Sequence, residues 1–253
     1  MSEATRFYNK AGAIVETVTA KNGKDRKVNI RDARKMDLVP SVTSILKLTY
    51  KFGLEYWKQE QLIKAALELE QEQNESQKDF FKRIRNVGNE IGLNAAVEGT
   101  KIHAAIQKSL EAGLYNPLFQ QFYEFKKEKG IVRDISERAF ATNQFAGTID
   151  YVGLTTKNKK IYADFKTKDG VQDIKKAYSE HGMQLAAYIV GAGDTFEDVE
   201  AWSIYIDRNI TKIDKEQYYE MKFIQWATDD LTLHLNKFKA LLKYWRLENG
   251  FEY

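Results

Sequence analysis

The chain has 253 residues, 39 Lys and Arg against 36 Asp and Glu, a formal net charge of +3 and 43% hydrophobic residues; this is a globular composition, long enough for a full core. It contains no cysteine, which excludes disulfides, thiolate zinc sites, cysteine-held iron–sulfur clusters and cysteine nucleophiles. No apolar run reaches membrane-spanning length and MSEATRFYNK lacks the apolar stretch of a secretory signal, so a cytoplasmic protein without membrane contact is expected.

Residues 5–38 read as irregular to β-rich, with AIVETVTA in partial alternation as a strand and NGKD as a turn. Ser41, after Pro40, is placed to cap a short helix through VTSILKL. Apolar residues at helical spacing predict a helix over 53–71, QNESQ interrupts it, and a polar, basic helix covers 76–92. A helix through VEGTKIHAAIQKSLEAG ends near Gly113, and Pro117 opens another that runs to Gly130. Three strands follow, IVRDISERAFATN, FAGTIDYVGLTT and KIYADFKTK, separated by short polar turns as in a β-meander. A helix through IKKAYSEHGMQLAAYIVGAG, a strand at VEAWSIYIDR and a long helix over 214–247 complete the reading. With no linker and no repeat, a single α/β domain with a mixed central sheet flanked by helices is expected.

The chemistry concentrates in the meander. Asp164 and Lys166 are two apart on one strand and share a face, and an antiparallel neighbour can set Asp150 beside them. Among core residues such as Ala163, Phe165, Ile149 and Val152 the two carboxylates repel each other, and the ammonium only partly offsets them. A divalent cation resolves the conflict, and Mg²⁺ and Mn²⁺ favour carboxylate oxygens. Taken alone, D-x-K on a strand is more often a surface ion pair. Basic clusters at Lys21, Lys24, Arg26, Lys27, Arg31, Arg34 and Lys35, at Lys82, Arg83 and Arg85, and at Lys157, Lys159 and Lys160 suit a phosphate backbone or a solvated face equally well. Tyr50, Phe52, Tyr56 and Trp57 are interleaved with Lys47, Lys51 and Lys58, a pattern that suits stacking on single-stranded DNA, although Trp57 also fits a core position.

Five ordered blocks carry a resemblance: PSVTSIL followed by Trp57, EGTKIHAAIQ, AGTIDYVG, ADFKT and HGMQLAAY. Together they resemble the PD-(D/E)XK nuclease superfamily, and within it the RecB-type exonucleases of phage and mitochondrial kind. The resemblance implies a restriction-endonuclease-like core over 96–253, with residues 1–95 as a helical, DNA-channel-forming part of the same domain. It implies Asp150 and Asp164 as metal ligands for Mg²⁺ or Mn²⁺, Lys166 as the catalytic lysine, His103 as a further metal ligand or phosphate contact, and Gln184 and Tyr188 as supports of the site or the DNA end. Gln184 and Tyr188 are four apart and share a helix face. Glu137 is open between a supporting group, a further ligand and a surface pair with Arg138 or a lysine. Ser41 and Thr43 of the first block join Tyr50, Trp57 and Lys58 as DNA-binding candidates. Ile149 stands where the name-giving proline would be, and the missing cysteines set the chain apart from the CRISPR-adaptation members. His181 has no counterpart in the family, and His234 is expected on a helix surface.

The implied activity is metal-dependent hydrolysis of DNA phosphodiesters from an end, in recombination, repair or replication. The partner class for such a role is a recombination or single-strand-binding protein, and the location is the host cytoplasm if the chain is phage-encoded. The alternatives are a structure-selective endonuclease on flaps or junctions, a DNA-binding module without cleavage, and a structural protein whose strand charges form ion pairs.

Overall fold

The computed structural model describes residues 5–213 and 216–251. The N-terminal segment contributes β1 (Phe7–Tyr8), β2 (Ile14–Val15), β3 (Thr17–Thr19), β4 (Asp25–Lys27), α1 (Ile30–Lys35), β5 (Val39–Pro40) and α2 (Val42–Leu46). α3 (Phe52–Glu68), α4 (Gln77–Ala112) and α5 (Gln120–Glu128) follow. Next come β6 (Ile131–Ala141), β7 (Ala146–Thr155), β8 (Lys160–Lys168), α6 (Ser179–Gly191), β9 (Val199–Ile213), β10 (Glu216–Trp226) and α7 (Thr228–Glu248).

The expected mixed central sheet flanked by helices is present. Its five strands run in the order β10-β9-β8-β7-β6, with β8 and β9 parallel and the other neighbours antiparallel. A parallel β8–β9 pair needs a crossover, and α6 supplies it. The period of two divides β8 between two layers. Tyr162 joins the core built with α6 and α7, whereas Phe165 meets Phe122 of α5 at 5.3 Å between ring centroids. Tyr151 and Trp202 extend that second layer against Phe122 and Phe125.

The chain divides into two compact units, one of Met1–Thr49 with Ile106–Tyr253, the other Tyr50–Ala105. Residues 5–49 belong with the sheet, because Phe7, Val28, Ala33, Leu38, Val42 and Ile45 are buried in its core. In the second unit α3 and α4 lie close together: a Cβ at Gly88 would come within 2.7 Å of Leu62. The two helices expected over 76–92 and on to Gly113 are one, α4, which no proline interrupts. Ser76 opens it, accepting from the Asp79 N–H at 3.2 Å and donating to its carboxylate at 2.6 Å.

Three further readings need correction. Residues 216–226 form the strand β10, where a helix was expected over 214–247; residues 214 and 215 lie outside the described ones. The deciding force is tertiary, since β9 offers an unpaired edge and buries Tyr219, Met221 and Trp226. α6 starts at Ser179 rather than near 174, because the Asp207 carboxylate holds the Gly170 and Val171 N–H groups and turns the chain there. α1 was not foreseen, although its capping box, Asn29 with Asp32, is local.

Candidate active site

β7 and β8 are paired from Leu154↔Lys160 to Tyr151↔Ala163, and there they part. Past that point β7 stays bonded to β6 as far as Ala146, and β8 to β9 as far as Lys168. Asp150 and Asp164 are the first residues beyond the last pair, one on each branch of the fork. The Asp150 Oδ2 accepts the Phe165 N–H at 2.9 Å, so a carboxylate takes a ladder donor that the parting strands release.

Asp164 is 0% exposed, and the side chains of Lys166 and Gln184 act on it. Lys166 Nζ lies 2.6 Å from its Oδ2. Gln184 Nε2 donates to its Oδ1 at 2.8 Å and to the Tyr188 hydroxyl at 3.0 Å, so both amide protons are used. The side chains expected to converge therefore do so: Asp164, Lys166, Gln184 and Tyr188 form one network, with Asp150 across the fork. Gly147 and Gly191 make room for it. A Cβ at Gly147 would lie 2.7 Å from the Tyr188 ring, and one at Gly191 would lie 2.1 Å from the Phe140 ring that packs edge-on against Tyr188.

The electrostatics follow the burial. Burial pushes the Asp150 carboxyl up, and Glu137 adds to this; Lys166, the Phe165 N–H and a hydrogen bond with Asp164 oppose it without cancelling it. Desolvation acts to lower the Lys166 pKa, but Asp164 and Asp150 outweigh it and hold the ammonium charged. Tyr188 is pushed well above the ordinary phenol range, by burial first and then by both aspartates, so it stays neutral. Glu137 has φ +49° and falls between Ser136↔Tyr151 and Arg138↔Ile149, in register with Asp150. Its own pKa is raised, by burial first and then by Glu111. Arg138 acts on Tyr162 and Asp194 rather than in the pair with Glu137 that was one of the alternatives left open.

With all three ionised, two carboxylates and one ammonium leave one negative charge in excess. The donors are hard oxygens, which fits Mg²⁺ or Mn²⁺ and not a soft metal. Among the described residues no group of three or more His, Asp or Glu side chains is arranged to hold a metal. A cation at the fork would take Asp150 and Asp164, with water or substrate oxygens completing its shell.

The other candidates are spread more widely. His103 is half-buried on α4, in the unit Tyr50–Ala105. Ser41 is buried and caps α2, accepting from the Ser44 N–H at 3.0 Å, while Thr43 is exposed. In the second unit Tyr50 is 76% exposed and Phe52 70%, with Phe52 stacked on Tyr56 at 6.4 Å. Trp57 is half-buried, close to Gly92, and Lys58 pairs with Glu55 at 2.8 Å. His234 is buried rather than on a surface, bridging Ser179 Oγ and the Asp230 carbonyl.

A second cluster at the open end of the same face escaped the sequence reading. Lys168 Nζ donates to the Tyr178 hydroxyl, and the Tyr205 oxygen accepts the Tyr178 N–H at 3.2 Å and lies 2.8 Å from His181 Nδ1. The helical spacing of His181, Gln184 and Tyr188 was the available signal.

No protein-family model matches the chain, and no curated protein does. Among solved structures it is similar to SSO0001, at 14% identity over 74% of this chain and 86% of that one, with a TM-score of 0.31. It is also similar to an alkaline exonuclease, LHK-Exo, from Laribacter hongkongensis, at 14% identity over 60% of this chain and 84% of that one, with a TM-score of 0.28. The complex of LHK-Exo with dAMP gives 13% identity, 60% and 85% coverage and a TM-score of 0.28.

Proposed function

We propose that the protein is a metal-dependent deoxyribonuclease that hydrolyses phosphodiester bonds from a DNA end. The observation that carries the reading is the fully buried Asp164, held by Lys166 and Gln184 and set beside Asp150 where β7 and β8 part. A buried carboxylate beside a second one is costly for a fold that does not use the pair. Mg²⁺ or Mn²⁺, when bound there, supplies charge neutralisation on the phosphate and lowers the pKa of a water.

The chain's own residues do the rest. Asp150 and Asp164 hold the cation. Lys166, partly open to solvent and charged, orients the attacking water or stabilises charge developing on the phosphorane. Gln184 fixes the Asp164 rotamer, and the neutral Tyr188 keeps that amide in place. His103 enters through the resemblance alone, as do a role in recombination, repair or replication and a single-strand-binding partner. Tyr50, Trp57 and Lys58 are proposed to touch DNA; the exposed rings of Tyr50, Phe52 and Tyr56 support this for the segment.

The test is a gel assay on 5′- and 3′-labelled single- and double-stranded DNA, with Mn²⁺ or with EDTA, for wild type and Lys166→Ala. Metal-dependent loss of label by wild type alone is expected, and closed circles should survive. Cutting of circles would favour an endonuclease for flaps or junctions. Binding without cleavage would leave a DNA-binding module.

A further inference from the structure

We propose that Lys168, Tyr178 and His181, braced by Tyr205, form a second phosphate site on the DNA strand, next to the one at Asp150, Asp164 and Lys166. This rests on the nuclease reading and adds to it how the strand is held in register.

Placement is the first argument. Lys166 and Lys168 are alternate residues of β8, opposite Tyr205 and Asp207 in register, so their Cα atoms are about 6.6 Å apart on one face. That spacing is comparable to one nucleotide step of an extended strand. His181, Gln184 and Tyr188 run along the facing side of α6. The face thus grades from the buried Tyr188 and Gln184 to the half-exposed His181, Tyr178 and Lys168. A strand reaching the fork from solvent passes the second cluster.

Charge is the second argument. Lys168 forms no ion pair with a carboxylate among the described residues; its partner is the Tyr178 hydroxyl. Two of the acids nearby, Asp207 and Asp169, are committed. Asp207 accepts from the Gly170, Val171 and Asn209 N–H groups, and Asp169 pairs with Arg208 at 2.5 Å. Glu180 acts on Lys166 and Tyr205. Donor geometry is the third argument. The Tyr178 oxygen accepts from Lys168, which leaves its own proton to donate. The Tyr205 oxygen accepts the Tyr178 N–H at 3.2 Å and lies 2.8 Å from His181 Nδ1, so it ties the Tyr178 backbone to the imidazole. An ammonium, a phenol hydroxyl and an imidazole are grouped together, a set that suits a phosphate oxyanion. The phosphate is an internal phosphodiester or a terminal monoester, which share this chemistry.

The test is fluorescence anisotropy in EDTA with the full chain. Labelled single-stranded oligonucleotides bear a 5′-phosphate, a 3′-phosphate or neither, and each is titrated over a range of salt. Lys168→Ala and, as a variant that keeps the ring packing, Tyr178→Phe are compared with wild type. For Lys168→Ala the expected result is about a ten-fold loss of affinity and a salt slope shallower by about one. Tyr178→Phe should weaken binding less and leave the slope unchanged. Equal losses on all three oligonucleotides assign an internal phosphate, and a loss confined to one phosphorylated end assigns a terminal one. Unchanged affinity and slope in both variants would overturn the proposal. Cleavage by the wild type with Mn²⁺ is scored separately. Should the wild type cleave while both variants bind as it does, the second site fails and the nuclease stands. Should the wild type never cleave while the variants lose affinity, the phosphate site stands and the nuclease fails.

Discussion

Asp150→Asn should make the metal-free protein more stable and abolish the stabilisation that Mn²⁺ gives the wild type. In the fold the ionised Asp150 faces burial and the charge of Glu137, and Lys166, the Phe165 N–H and Asp164 do not fully offset them. Its folded pKa is therefore above the unfolded value. Such a carboxyl favours the fold while protonated, and its contribution is lost as pH rises from the ordinary carboxylate range through the raised folded value. Asparagine keeps the shape, keeps an acceptor for the Phe165 N–H at 2.9 Å and removes the charge. A gain of about 1 kcal/mol at neutral pH is expected, which for a chain of this length raises Tm by roughly 2–4 °C. The gap should close as the pH falls below the unfolded carboxylate range. Mn²⁺ at about a hundred times its Kd stabilises the wild type by about 2.7 kcal/mol and should leave the variant unmoved, so the two melting curves exchange order. Differential scanning calorimetry in EDTA and in Mn²⁺, across pH, measures all of this. A variant that melts below wild type in EDTA, or that gains as much from Mn²⁺, would refute the reasoning.

Two further changes probe the supports of Asp164. Gln184→Leu leaves Asp164 Oδ1 and the Tyr188 hydroxyl without their shared amide donor, and should cost about 1–3 kcal/mol in urea unfolding along with most of the cleavage rate; an unchanged midpoint would mean that water replaces the amide. Gly147→Ala drives a methyl to within 2.7 Å of the Tyr188 ring, so about 1–3 kcal/mol of stability and much of the activity should go together, and full activity would show that Tyr188 can shift without disturbing the site.

Much of this molecule is legible locally. The meander follows from alternation and turn residues, and β6, β7 and β8 stand where those signals put them. Ser41 caps α2, and Pro117 introduces the turn that leads into α5. The pairing of Asp164 with Lys166 is a consequence of the two-residue period, and that of Gln184 with Tyr188 of the helical one. In each case the deciding interaction lies within a few residues of chain.

Other features depend on partners far away in sequence. β10 carries a pattern that suits helix or strand, and only the edge of β9 makes it a strand. The fork between β7 and β8 cannot be read from either strand alone, since it depends on how the two strands diverge while each stays paired with its outer neighbour, β6 or β9. The same holds for the assembly of Lys168, Tyr178, His181 and Tyr205, which brings together a strand, a loop, a helix and a second strand. The sequence by itself determined which side chains carry charge into the core and how they space along their own elements. Only the tertiary structure decided which of them meet, because side-chain contacts between elements depend on strand register and helix docking, and no local pattern encodes either.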